Sequence, residues 1–351
     1  MTFNESTSYD FYIKRLENLC DHISTYIFLF YLIVGNIGNV FKVLFFRQKP
    51  LRSCPCTIYI LVATIGHFLT LNNIPLSSLF PNNWDLIGFD HGLYFNRTFV
   101  ENTLTSTHAT RMCKIQVYFH MLSTNISLQT LVFASLNRFC MSLKRKTRLN
   151  QSQRITNFFC TLSTAYTLCS LTCIIWALVS IQTLFSFTII HDHCIPHNII
   201  VWGVKLSSVY FGQTIFMIMF GSLTIFYRHK RSLYVRRRCH HEAIPMYSQY
   251  SRHDRLEIGH VEVQLTSMIV TEIVVVILSS LPYGIYIVYR LSIMEKYRSP
   301  LDMKYDNVIE RFIQLTMFFE SSCGFYIYLF TLTTLKQRFF GILRRRLRIR
   351  S

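Results

Sequence analysis

Seven long apolar segments alternate with shorter polar segments along this chain. A helix needs roughly 20 mainly apolar residues to cross a bilayer, because the hydrocarbon core is about 30 Å thick and each residue rises about 1.5 Å. The apolar residues form continuous blocks rather than stripes on one helix face, which is typical of membrane spans. The predicted spans are 23–46, 57–80, 112–136, 158–183, 199–227, 263–289 and 308–334.

The third predicted span is more polar than the others. An unpaired polar group is costly in hydrocarbon, so we expect this helix to face other helices rather than lipid. The pattern predicts an all-α fold, a seven-transmembrane helix bundle over residues 23–335, between an outer segment 1–22 and a tail 336–351. The tail mixes apolar and basic residues and suits a short amphipathic helix on membrane lipids of the inner leaflet. The polar residues that interrupt the third span are Gln116, His120, Asn125 and Gln129.

The composition agrees with a membrane protein. The chain is 51% hydrophobic and 15% charged, whereas a soluble domain carries about a quarter charged residues. The net charge of +18 would suggest a nucleic-acid partner for a soluble protein. Most of the 36 Lys and Arg residues fall in segments 42–56, 138–156, 228–262 and 336–351, which lie on one side of a seven-span bundle. Because basic loops stay in the cytoplasm, we expect an outer N-terminus, an inner tail and no nucleic acid.

Two local patterns bear on the same topology. Residues 1–19 contain charged residues and no apolar core of a signal peptide, so we expect the first span to direct membrane insertion. Glycosylation sequons begin at Asn4 and Asn96, on the expected outer side. A third sequon begins at Asn150, on the expected inner side, so the sequons alone do not fix the orientation.

Three of the 11 cysteines, Cys20, Cys113 and Cys194, fall on the outer side, where thiols oxidise, and Cys20 has no obvious partner. Cys113 begins the third span, and Cys194 lies between the fourth and fifth spans. A disulfide between them would hold that loop over the mouth of the bundle, and two unpaired thiols are the alternative. No spacing of His and Cys residues predicts a zinc site, so neither a metal nor a cofactor is expected.

Short motifs occupy several of the spans. Arg138 follows Cys113 by about 25 residues, which is one membrane thickness of helix at about 1.5 Å per residue. The motifs are Gly38-Asn39 in the first span, Asn137-Arg138-Phe139 at the end of the third, Pro282 in the sixth and Tyr328 in the seventh. Together they resemble the rhodopsin-like (class A) G protein-coupled receptors, and the resemblance extends from residue 23 to residue 340.

The resemblance implies a switch at the cytoplasmic end of the bundle, next to a heterotrimeric G protein. Arg138 would pair with an acid on the sixth helix, at Glu262, and outward motion of that helix would break the pair. Asn137 replaces the family's aspartate, which either raises basal activity or marks a receptor that no longer signals. Pro282 is kept without the usual tryptophan, and Tyr328 alone matches the seventh-helix motif.

The resemblance also places a group of buried polar residues, which includes Asn39. His67 aligns with the aspartate that helps the family hold a sodium ion, and Ser127 and Glu320 face the same zone. The histidine puts that sodium site in doubt. We expect His67 and Glu320 to pair instead, because ionisable groups inside membranes usually pair.

The family's ligand pocket lies among the outer halves of helices three, five, six and seven. On the third span its counterparts are Gln116, His120, Ser123 and Thr124. His120 aligns with the aspartate by which amine receptors hold an ammonium group, so a monoamine ligand is disfavoured. The long outer loop 81–111 favours a peptide, such as a neuropeptide. The alternative is that these side chains only bond to neighbouring helices.

These expectations describe a multi-pass receptor of the plasma membrane that transduces an extracellular ligand to a G protein, and not an enzyme. Missing motifs suggest a diverged invertebrate receptor. The alternative is a seven-helix ligand-gated ion channel of the insect odorant-receptor type. Those channels place the N-terminus inside, against the charge distribution here. The sequence shows no internal repeat, which argues against a transporter, because many transporters are built from paired halves.

Overall fold

The computed structural model describes residues 5–47, 51, 54–73, 93–94, 106–144, 158–190, 193–196, 198–239, 249–293 and 300–331. This part of the chain forms seven long helices and a small antiparallel sheet. Each helix overlaps one predicted span, and the bounds differ at one or both ends. The helices are α1 (Glu5–Phe46), α2 (Pro55–Asn73), α3 (Ser106–Lys144), α4 (Leu162–Ser186), α5 (Ile199–Cys239), α6 (Gln249–Ile293) and α7 (Pro300–Thr331).

Five of these helices are long and apolar enough to cross a membrane. Their apolar stretches are His22–Phe46, Pro55–Asn73, Leu162–Ser186, Ile200–Tyr227 and Leu265–Ile293. The other two, α3 with 39 residues and α7 with 32, have sufficient length but carry more polar residues. Many of those polar side chains are buried between helices. The helical bundle is therefore present, and the crossing of a membrane by all seven helices remains a prediction.

The bundle carries apolar side chains on its surface and charged side chains inside. On α4, Phe185 is 81% exposed and Leu178 is 62% exposed. Lys42, Arg138 and Glu272 are 2%, 3% and 2% exposed. Water penalises exposed apolar area by about 25 cal/mol per Å². Large exposed apolar side chains together with buried charges are unusual in a water-soluble bundle and are compatible with a lipid surrounding.

The packing order brings α2, α3 and α7 into the interior. α3 contacts α2, α4 and α5; α1 contacts α2 and α7; and α6 lies between α5 and α7. α2 and α3 approach closely at Gly66, where an added Cβ would lie 2.8 Å from the backbone oxygen of Ser123 and 2.9 Å from Ser127 Cβ. We call the end formed by the last turns of α1, α3 and α7 the inner end, because the basic segments predict that it faces the cytoplasm.

Three short strands lie next to the outer ends of α4 and α5. β2 (Phe187–Ile190) and β3 (His193–Pro196) form an antiparallel hairpin, and β1 (Leu93–Tyr94) pairs with the other edge of β3. Cys194 lies in this central strand, and α3, which carries Cys113, contacts both strands of the hairpin. The side chains of the two cysteines lie outside the described part, so their disulfide stays a prediction.

Several other predictions fall on residues that the structure does not describe. They concern the sequons at Asn4 and Asn96, the side chain of Glu262 and the amphipathic tail 336–351. Each of these stays a prediction.

Candidate functional site

A polar network crosses the middle of the bundle around His67 of α2. His67 Nε2 lies 3.6 Å from Glu320 Oε1 on α7, and both side chains are buried. His67 Nδ1 lies 2.9 Å from Ser321 Oγ. The Ser279 hydroxyl of α6 donates a hydrogen bond to Glu320 Oε2 at 3.3 Å. The structure thus brings the two residues of the predicted pair together and adds a contact from α6.

Asn39 extends this network to α1. Its side-chain amide donates a hydrogen bond to the Ser321 backbone oxygen at 3.3 Å. The neighbouring Gly38 packs closely on α7, since an added Cβ would lie 3.0 Å from the Tyr326 ring. α1, α2, α6 and α7 are therefore joined by polar contacts at one level of the bundle.

A small cavity opens beside the network, between α2, α3, α5, α6 and α7. Residues from both predicted groups line it: His67, His120, Thr124, Ser127 and Glu320. Thr124 Oγ1 and Glu320 Oε1 are buried and have no hydrogen-bond partner among the described residues. Because buried polar atoms are normally satisfied, these two atoms suit a bound water or the polar group of a ligand.

The residues around the cavity do not fit the sodium site that the family resemblance implies. A hard cation prefers oxygen ligands, and an imidazole replaces the expected carboxylate at His67. Glu320, the remaining carboxylate, already accepts from Ser279 and faces His67. The Ser127 hydroxyl donates to the Thr124 backbone oxygen of its own helix at 2.8 Å. Within the described residues, no group of three or more His, Cys, Asp or Glu residues could hold a metal ion.

The four predicted ligand-binding residues of α3 divide into two pairs. The Gln116 side chain donates a hydrogen bond to the Asn73 backbone oxygen at 3.5 Å. The Asn73 side chain in turn donates to the Gln116 backbone oxygen at 3.1 Å. The Ser123 hydroxyl lies 2.9 Å from Thr70 Oγ1. Gln116 and Ser123 thus contact α2, and His120 and Thr124 line the cavity. Ligand binding by these four residues stays a prediction.

Arg138 lies buried at the inner end of α3. Its Nη2 donates a hydrogen bond to Cys54 Sγ at 3.3 Å, just before α2 begins. Asn137 donates to the Phe159 backbone oxygen at 2.6 Å, which ties α3 to the segment before α4. The Phe139 ring packs against Phe220 of α5, with centroids 6.0 Å apart. Among the side chains that the structure describes, no carboxylate pairs with Arg138.

A second buried ion pair joins Lys42 of α1 to Glu272 of α6, with Lys42 Nζ 3.2 Å from Glu272 Oε1. The hydroxyl of Tyr328, a predicted switch residue, donates to the other carboxylate oxygen of Glu272. Sequence reasoning missed this pair, because Lys42 was assigned to the first basic cytoplasmic segment. The structure shows instead that the Lys42 side chain lies inside the bundle, where it is 2% exposed. The signal that could have found it is the acidic Glu272 inside an apolar span.

A third polar cluster lies toward the outer ends of α6 and α7. The Tyr286 hydroxyl donates to Glu310 Oε2 at 2.9 Å, and Arg290 Nη1 lies 3.3 Å from Asp306 Oδ2. Both acids are buried. Farther inward, Thr316 of α7 donates to the Ser279 backbone oxygen at 3.2 Å, three residues before Pro282.

Comparison with known protein-family models and with curated protein sequences gives no match.

Proposed function

We propose that this protein is a seven-transmembrane receptor of the plasma membrane that transduces an extracellular ligand to a heterotrimeric G protein. The observation that carries the proposal is Arg138, an arginine buried at the inner end of a central helix. An arginine that served only to set the orientation in the membrane would lie in solvent or extend to the lipid headgroups. Arg138 instead hydrogen-bonds to Cys54 inside the helix bundle.

The interior polar contacts support the proposal that the helices have two alternative arrangements. The network around His67 and Glu320 links α2, α6 and α7, and the cavity beside it reaches the ligand-binding candidates His120 and Thr124. A ligand that binds one arrangement better shifts the population toward it. Outward motion of the inner end of α6 would then open a cavity beside Arg138 for a G-protein helix.

The cavity and the outer end of the bundle support one class of ligand over another. His120 offers an imidazole in place of an ammonium-binding carboxylate, which disfavours a monoamine. The hairpin β2–β3 and strand β1 form a structured surface next to the outer ends of α4 and α5. A peptide could contact this surface and the helices together. We therefore favour a peptide ligand.

Basal second-messenger output in transfected cells tests the proposed function. Wild type, Arg138→Ala and Arg111→Ala are compared at matched surface expression across the main classes of Gα subunit. Arg111 is an exposed arginine at the opposite end of the same helix, so its substitution controls for loss of charge on α3. We expect wild type and Arg111→Ala to signal equally and Arg138→Ala to lose most of the output.

Equal output from wild type and Arg138→Ala would contradict the proposal and leave Arg138 as a structural contact to Cys54. Ion flux that persists when G-protein signalling is blocked would favour the channel alternative.

A further inference from the structure

Lys42, Glu272 and Tyr328 form a buried polar cluster in the inner half of the bundle. Lys42 Nζ lies 3.2 Å from Glu272 Oε1 and 5.1 Å from the centre of the Tyr328 ring. The Tyr328 hydroxyl donates to Glu272 Oε2. One carboxylate oxygen of Glu272 is thus engaged by α1 and the other by α7.

The ion pair reaches across α7. α1 and α6 each pack against α7, and Lys42 approaches Glu272 past Gly324 of that helix. An added Cβ at Gly324 would lie 2.8 Å from Lys42 Nζ and 3.5 Å from Glu272 Oε2. The glycine therefore provides the passage through which the lysine reaches α6.

Bulk solvent does not reach either charge in this arrangement, because both side chains are 2% exposed. Removing one member of a buried pair is far more unfavourable than removing both, since an uncompensated charge remains in a low-dielectric interior. The arrangement with the pair closed is therefore favoured over one in which α6 carries Glu272 away from Lys42. The aromatic ring of Tyr328 stabilises the ammonium group further.

The position of the cluster on α6 relates it to the proposed switch. Glu272 lies about 10 Å closer to the inner end than Ser279, at about 1.5 Å per residue. At the level of Glu272, α6 is held by Lys42 of α1 and Tyr328 of α7.

We infer that Lys42, Glu272 and Tyr328 form a latch that holds the inner half of α6 against α1 and α7, and that α6 moves outward only when Lys42 and Glu272 separate. The coupling of this latch to signalling rests on the proposed function. The latch itself is a statement about helix position and can be measured without a G protein.

Two readouts are applied to full-length protein carrying Lys42→Met, Glu272→Gln or the charge exchange Lys42→Glu with Glu272→Lys. The first is basal second-messenger output at matched surface expression. The second is the distance between spin labels at Val274 of α6 and Tyr166 of α4, both exposed, in lipid nanodiscs. The labels are attached through keto amino acids, because the chain contains 11 cysteines. Lys205→Met, a lysine on α5 outside the cluster, is the matched control.

We expect each single substitution to raise basal output at least about threefold and to add a longer-distance population. The charge exchange should return both readouts toward wild type, and Lys205→Met should change neither. Unchanged distances in both single variants would overturn the latch, even if signalling through Arg138 is present. A longer distance in both single variants without second-messenger output from any variant would support the latch and contradict the proposed G-protein function.

Tyr328→Phe tests the same latch if a single charge substitution prevents folding. It removes only the hydroxyl that donates to Glu272 and keeps the ring next to Lys42. We expect a smaller shift in the same direction, and a wild-type distance distribution in this variant would count against the latch.

Discussion

The buried polar side chains around His67 find their partners on neighbouring helices. His67 contacts Ser321 through one ring nitrogen and faces Glu320 through the other, so the imidazole lies between two groups of α7. Glu320 in turn accepts from Ser279 of α6. A buried polar group left without its partner costs about 1–3 kcal/mol, so each member of this chain of contacts supports the next.

His67→Asn and Glu320→Gln should therefore show an energetic coupling. Asn keeps a polar atom near the position of Nδ1 and loses the contact to Glu320, and Gln keeps the shape of the acid without its charge. We expect the double variant to depart from the sum of the single variants by about 0.5–3 kcal/mol. The measurement is thermal unfolding of the detergent-solubilised protein.

Ile65→Ala is the control for this cycle. Ile65 lies two residues before His67 on α2, but its side chain is 55% exposed on the surface of the bundle. Its effect should add to that of Glu320→Gln. Additive effects for His67→Asn as well would mean that the 3.6 Å approach of His67 to Glu320 contributes nothing to stability.

Two of the close helix–helix contacts in this protein lie at glycines. At Gly66 the backbone of α2 lies against Ser123 and Ser127 of α3, and at Gly35 an added Cβ would lie 2.9 Å from Ser322 Cα of α7. Small residues at such contacts bring backbones together, and packing then replaces the hydrophobic effect, which lipid cannot supply between helices. The same close approach brings the hydroxyls of Thr70 and Ser123 within 2.9 Å of each other.

Gly66→Ala should destabilise the protein, because the added methyl group meets backbone and Cβ atoms that cannot turn aside. Overpacking of this kind costs about 1–3 kcal/mol. Gly212→Ala on α5 is a matched control, since an added Cβ there has no neighbour within 4 Å. That variant should be neutral or gain up to about 1 kcal/mol from helix propensity. Equal unfolding temperatures for the two variants would contradict the close α2–α3 contact.

At the scale of the molecule, the described helices combine an apolar surface with buried polar clusters, and five of them are long and apolar enough to cross a membrane. The concentration of basic residues in alternate connecting segments predicts which end faces the cytoplasm. The Lys42–Glu272 latch, Arg138 and Tyr328 all lie toward that inner end. The cluster of Tyr286, Glu310, Arg290 and Asp306 lies toward the other end.

An epitope tag at the N-terminus should therefore be stained on intact cells, and a tag at the C-terminus only after permeabilisation. A glycosidase-sensitive mass should disappear in the double variant Asn4→Gln with Asn96→Gln. Asn150→Gln should leave that mass unchanged, because its sequon lies on the predicted inner side. An N-terminal tag that is stained only after permeabilisation would reverse the orientation and favour the channel reading.

The sequence determined the helices and their expected environment, because the length and polarity of a segment decide locally whether it suits a bilayer as a helix. It predicted helices at all seven spans and an interior position for the third, where His120 and Asn125 are buried. It also suggested that His67 and Glu320 would meet, since ionisable groups in a span need partners.

Only the tertiary structure decided which polar groups meet across helices. Contacts such as that of Lys42 with Glu272 depend on the rotation and register of three helices and on Gly324 between them. These quantities are set by packing over the whole bundle and leave no local pattern in the chain. For the same reason the sequence counted Lys42 with a basic connecting segment, whereas helix register buries its side chain against Glu272. The sequence offered Gln116 and Ser123 as ligand contacts, and helix register also brings both residues into contact with α2.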